Sequence, residues 1–205
     1  MSRDGILLMN VGTPDEPTVD SVKTYLREFL LDPDVIDIPA PLRHLLVRGI
    51  ILRTRPKKIA PRYDSIWMDG GSPLRVYTQR ICDKLQIRME DSPCIVGMRY
   101  GNPSIRSALE SLRNQGVTRL LLAPLFPHYA QATTESSVKH AYKHLNEMGW
   151  TPDIIEFGHF ETEDEFIVPL AESIRPHLGP DTHQLITYHA ITITHLTRIQ
   201  TSKKH

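Results

Sequence analysis

Three stretches are apolar at almost every position: GILLMNVG (5–12), CIVGMRYG (94–101) and TRLLLAPLFP (118–127). Continuous apolar runs of this length, closed by turn residues, read as strands buried on both faces. TPDIIEFG (151–158) and HQLITYHA (183–190) are weaker runs of the same kind. Between them the apolar positions fall three and four apart. Val19, Val22, Leu26, Phe29 and Leu30 form one such stripe. Ile105, Ala108, Leu109 and Leu112 form a second, and Val138, Ala141, Tyr142, Leu145 and Met148 a third. That spacing predicts helices with one buried face. A further helix is expected from Ser72–Pro73 to about Met89. Another is expected over EDEFIVPLAESIRPHL (163–178), with Pro169 inside it. Caps are expected at Asn102, with Pro103 as the first helical residue, and at Thr134. DVIDIP (34–39) reads as a short strand.

Strands alternating with helices of this length predict βαβ units and a mostly parallel sheet, an α/β fold. In such sheets ligands sit beyond the carboxyl ends of the strands. Those ends are residues 10–14, 99–102, 126–133 and 188–190. They gather Arg99, Tyr100, His128, Tyr129 and His189 into one candidate pocket.

Composition narrows the function only a little. The 205 residues are 40% hydrophobic and 23% charged, with a formal net charge of zero. That balance suits a globular domain and supplies no global field for nucleic acid or an acidic membrane. The N-terminus reaches turn residues too early for a signal peptide, and no apolar run has transmembrane length. Cys82 and Cys94 lack metal-ligand spacing and read as reduced thiols of a cytosolic protein. The turn NVGTPDEP matches neither a Walker loop nor a dinucleotide fingerprint, so no nucleotide is expected.

Individual residues carry competing readings. His189, at a strand end, suits a metal ligand or a proton acceptor near neutral pH; its alternative is a hydrogen bond to a neighbouring loop. His140 and His144 have the i, i+4 spacing of a metal pair but lie off the apolar stripe, and read as a solvated face. Arg99 suits a bidentate grip on a carboxylate, against an ion pair that fastens a loop. Tyr100 and Tyr129 offer flat faces to a planar ligand, against ordinary packing. Residues 42–52 are apolar with interleaved cations: a lip facing a large apolar ligand or a membrane surface, or an amphipathic core helix.

Several motifs, in order over nearly the whole chain, resemble the ferrochelatase family. They are GILLMNVGTP (5–14), YLREFLLDPDVIDIP (25–39), RPKKIAPRYDSIWMDGGSPL (55–74), VGMRYGNPSI (96–105), LLLAPLFPHYAQATTESS (120–137) and LITYHAITITHL (185–196). The resemblance implies two similar chelatase-like domains with Rossmann- or flavodoxin-like parallel sheets. Residues 1–150 would be the first and residues 151–205 part of the second. It implies insertion of ferrous iron, as substrate, into protoporphyrin IX or coproporphyrin III. His189 would deliver metal and accept pyrrole protons. Val11, Arg53, Arg55, Tyr63, Ser72, Arg99, Tyr100 and Tyr129 would line or approach the porphyrin. Aliphatic Val11 cannot ligate iron and points toward protoporphyrin. No iron–sulfur cluster and no nucleic-acid partner are expected, and the location would be cytoplasmic, with peripheral membrane contact through residues 42–52. The resemblance departs after His189, where Ala190-Ile191-Thr192 replaces the family's glycine- or serine-led, proline-ended turn. No glutamate can be assigned as the acid facing His189, so the chain reads as C-terminally truncated. The alternatives are a non-catalytic porphyrin-binding fragment and an unrelated α/β binding module.

Overall fold

A computed structural model of the chain describes residues 2–179 and 182–185. Four parallel strands form one sheet in the order β2-β1-β3-β4. They are β1 (Asp4–Gly12), β2 (Cys94–Tyr100), β3 (Arg119–Pro124) and β4 (Asp153–Glu156). β1 is central: Leu7 pairs with Ile95 on one side and with Leu122 on the other. Its apolar run needs cover on both faces, and has it. Leu7 and Met9 pack with Leu120, Leu122 and helices α5 (Ile105–Asn114) and α6 (Ser136–Glu147). Ile6 and Leu8 pack on the other face with Val96, Met98 and Cys82 of α4 (Pro73–Arg88). There the Cys82 thiol donates to the Cys94 carbonyl at 3.0 Å, and both cysteines are free thiols.

The expected helical stripes are buried along most of their length, but Val19 and Tyr142, written into the first and third, are exposed. Ile105, Ala108, Leu109 and Leu112 are all buried in α5, as are Val22, Leu26 and Leu30 in α1 (Val19–Leu31). Ser72 caps α4, its hydroxyl accepting from the Arg75 N–H at 3.3 Å. Three local expectations fail. Residues 34–39 form turns rather than a strand, because Asp32 turns the chain by accepting from the Asp34 N–H at 2.8 Å. The α5 cap is Ser104, whose hydroxyl accepts from the Ser107 N–H at 3.1 Å; Asn102 and Pro103 stay outside the helix. Thr134 caps nothing, since a π-helical turn over residues 131–135 runs straight into α6.

Residues 40–64 are almost continuously helical: α2 (Ala40–Leu46), a π-helical turn over 47–51, and α3 (Leu52–Asp64). Val47, Leu52 and Ala60 bury against α1. β4 pairs with β3, so the sheet runs past residue 150. α7 (Asp164–Ile174) follows it, with Pro169 inside. No helix among the described residues is long and apolar enough to cross a membrane.

Candidate functional site

The strand order changes direction at β1. The chain leaves its carboxyl end toward β2 on one side, and β3 lies on the other. In doubly wound sheets this switch point is where ligands sit. Gly12 holds the turn there. Its φ is +100°, and a Cβ would lie 1.8 Å from the Tyr100 carbonyl oxygen, so only glycine fits beside β2. Just before it, the buried Asn10 amide donates to Thr78 Oγ1 at 3.0 Å, and its carbonyl accepts from the Val11 N–H at 2.8 Å.

Beyond this end, Val11, Tyr63 and Tyr100 pack into one apolar cluster with α1 and α3. Tyr25 stacks on Phe29, and the Phe29 ring meets Tyr100 edge-on with centroids 5.2 Å apart. Tyr63 meets Trp67 edge-on. Burial pushes the Tyr25, Tyr63 and Tyr100 phenols up, so all three are neutral near pH 7. The same helices carry an exposed apolar rim. Leu42, Leu45 and Ile50 face solvent, while Val47 and Leu52 face the cluster. Residues 42–52 therefore turn one apolar face into the core and leave another exposed. Arg53 and Arg55 stand exposed at the start of α3, and neither has an ion-pair partner among the described residues.

Arg99 points elsewhere. Its guanidinium bonds the Asp32 carboxylate and donates to Ser136 Oγ at 2.8 Å. Tyr100 O–H donates to the same carboxylate at 2.7 Å, and the guanidinium lies 4.5 Å from the Tyr100 ring centroid. Asp32 thus ties the end of α1 to β2 and the start of α6. This is the ion pair that fastens elements together, and Tyr100 is too buried to serve as an open flat wall. A cavity of about 720 Å³ opens beside this network, lined by Asp32, Arg99, Tyr100, His140 and His144 among others. Tyr129 lies apart. Its O–H donates to Glu135 at 2.9 Å, and it lines a separate cavity of about 500 Å³ with Tyr142, Phe157 and His159.

Chain-wide comparison agrees with these motifs. The family model described as ferrochelatase matches residues 3–201. The chain belongs to the ferrochelatase family. It is 41% identical over 207 residues to the ferrochelatase of Azotobacter vinelandii, covering 100% of this chain and 61% of that relative. It is 38% identical to that of Marinobacter nauticus, covering 95% and 55%, and 39% identical to that of Dechloromonas aromatica, covering 91% and 53%. The chain therefore spans 53–61% of the length of these three curated ferrochelatases.

Of the positions matched to the ferrochelatase motifs, the structure brings Val11, Tyr63 and Tyr100 together, with Arg53 and Arg55 on the adjoining helix. Ser72 is buried at the start of α4, with its hydroxyl engaged as the cap. His189 lies outside the described residues. Two features escaped the sequence reading. Asp32 had no assigned role, although a carboxylate in LLDPDV, directly after an apolar helical stripe, is a signal for a buried anchor. His140 and His144 do not form a solvated face: both are half-buried against the Arg99 network, and the His144 side chain is only 12% exposed. Their i, i+4 spacing was visible, but the neighbours that cover them come from other elements.

Proposed function

We propose that the chain supplies one wall of a metal chelatase that inserts Fe²⁺ into protoporphyrin IX, with release of two pyrrole protons. The observation that carries this reading is the match over residues 3–201 together with the clustering of Val11, Tyr63 and Tyr100 beneath an exposed apolar rim. A porphyrin is a flat apolar disc with carboxylates at its edge. Apolar walls suit the disc, and the exposed Arg53 and Arg55, without an ion-pair partner among the described residues, suit the propionates. His189 would act as metal ligand and proton acceptor, a role that suits a base of near-neutral pKa. Ser72 and Tyr129 would approach the substrate less closely, and Arg99 would hold the wall together. Valine at position 11 offers iron no oxygen, in keeping with protoporphyrin over coproporphyrin. The exposed Leu42, Leu45 and Ile50 favour peripheral membrane contact as the source of the apolar substrate. Residues 1–150 and 151–205 would belong to two similar domains.

A second reading, a porphyrin-binding chain that does not insert metal, is favoured by Ala190-Ile191-Thr192 after His189, where the family has a proline-ended turn. Metal insertion by the purified chain separates the two, followed in the Soret and visible bands with protoporphyrin IX and Fe²⁺ or Zn²⁺. Turnover abolished by His189→Ala, with porphyrin still bound, is the expected result. Turnover unchanged in that variant overturns the role of His189. Binding without turnover in the parent chain selects the second reading.

A further inference from the structure

His140 and His144 sit one turn apart on α6, and their Nε2 atoms are 2.9 Å apart with the ring planes nearly perpendicular. His144 Nδ1 lies 3.0 Å from Glu147 Oε2. An ionised carboxylate only accepts, so Nδ1 of His144 carries a proton and donates to Glu147. One Nε2–H is shared between the two rings. Both rings line the cavity of about 720 Å³.

We propose that His140 and His144 form a bidentate site for one late first-row divalent metal ion, such as Zn²⁺, Ni²⁺ or Cu²⁺. Imidazole nitrogens bind these ions at about 2.0–2.1 Å, so two ligands at right angles lie about 2.9 Å apart. The observed separation meets this without moving a helix. The imidazoles turn so that both Nε2 lone pairs converge on the ion, and the proton they share moves to Nδ1 of His140 or to solvent. Glu147 already fixes the tautomer and ring orientation of His144, as carboxylates behind metal-bound histidines do. Water in the cavity completes the coordination.

Charges around the pair set its strength. Arg99 and Lys143 oppose a cation, but Arg99 is neutralised by Asp32, and Lys143 lies 3.8 Å from Glu147. Arg106 also bonds Glu147, at 3.4 Å. Burial first, and then Arg99, push the His140 imidazole down to about 4, so it is neutral and available at pH 7. Affinity should follow the order Ni²⁺ below Cu²⁺, with Cu²⁺ above Zn²⁺.

The test needs no porphyrin, so it can fail or succeed independently of the chelatase reading. The full 205-residue chain carrying His189→Ala, which removes the metal ligand of the chelatase reading, is stripped of metal and titrated with Zn²⁺ against a chromophoric chelator. One site is expected, weakened at least tenfold by His140→Ala and equally by His144→Ala, and unaffected by His159→Ala. With Cu²⁺, electron paramagnetic resonance should show two imidazole nitrogens in the parent chain and fewer in either variant. Unchanged affinity and spectra in both variants overturn the proposal. If the variants do not fold, the parent chain decides by itself. Zn²⁺ should shield His140 and His144 from acylation by diethyl pyrocarbonate, and modification at the metal-free rate under saturating Zn²⁺ overturns the site.

Discussion

β1 and α7 are about equally rich in apolar residues, yet they meet opposite fates. In β1, Leu7 and Met9 are completely inaccessible, with α4 over one face of the sheet and α5 and α6 over the other. In α7, Ile167, Val168 and Leu170 are roughly half exposed, and no α7 residue is buried among the described residues. β4 shares that exposure at Ile155, as does Phe157 just after it. An apolar run states a need for cover; whether it is met depends on elements elsewhere in the fold. The contrast divides the described molecule into a packed unit through β3 and α6 and an apolar outer layer from β4 onward. An outer layer of this kind is a surface that a partner layer would bury.

Substitutions test this division, and the largest effect is expected at the centre of the packed unit. Gly12→Ala forces a methyl group against the Tyr100 carbonyl oxygen and should cost more than about 4 kcal/mol. A urea midpoint close to that of the parent chain would mean β1 and β2 do not approach as described. Asp32→Ala leaves the Arg99 guanidinium unpaired in a nearly buried site, and also removes the acceptor of Tyr100. Loss of one partner of a buried pair costs about 3–5 kcal/mol. An effect below about 1 kcal/mol, the range of surface pairs, would show that solvent already screens the network. Leu109→Ala opens a cavity in α5 and should cost about 2–5 kcal/mol. Leu170→Ala, the same kind of truncation in α7, should stay within about 0.5 kcal/mol. Comparable losses at Leu109 and Leu170 would erase the distinction between the two regions.

The sequence made the packed unit legible because local periodicity and final burial agree there. Ile105, Ala108, Leu109 and Leu112 recur at helical spacing and all end up buried. Ser72 followed by Pro73 marks a helix start by local chemistry alone. The site was less legible because its decisive contacts are long-range. Asp32 lies 67 residues from Arg99 along the chain, and no periodicity links them. The burial of His140 and His144 is hidden from local periodicity for the same reason, since the side chains beside them come from the end of α1, β2 and α5. Residues 42–52 have apolar side chains on two faces, one packed in the core and one exposed, and periodicity alone does not separate them.

The central claim is that the wall presented by Val11 and Tyr63, backed by the buried Tyr100 and rimmed by residues 42–52, receives porphyrin. Hydrogen exchange on the full chain, with and without protoporphyrin IX, tests it most directly. Protection is predicted at residues 11–13, 42–52 and 60–64, with β3 and α5 unchanged. Protection confined to the Tyr129 cavity, or none at a concentration where porphyrin fluorescence reports binding, would contradict it.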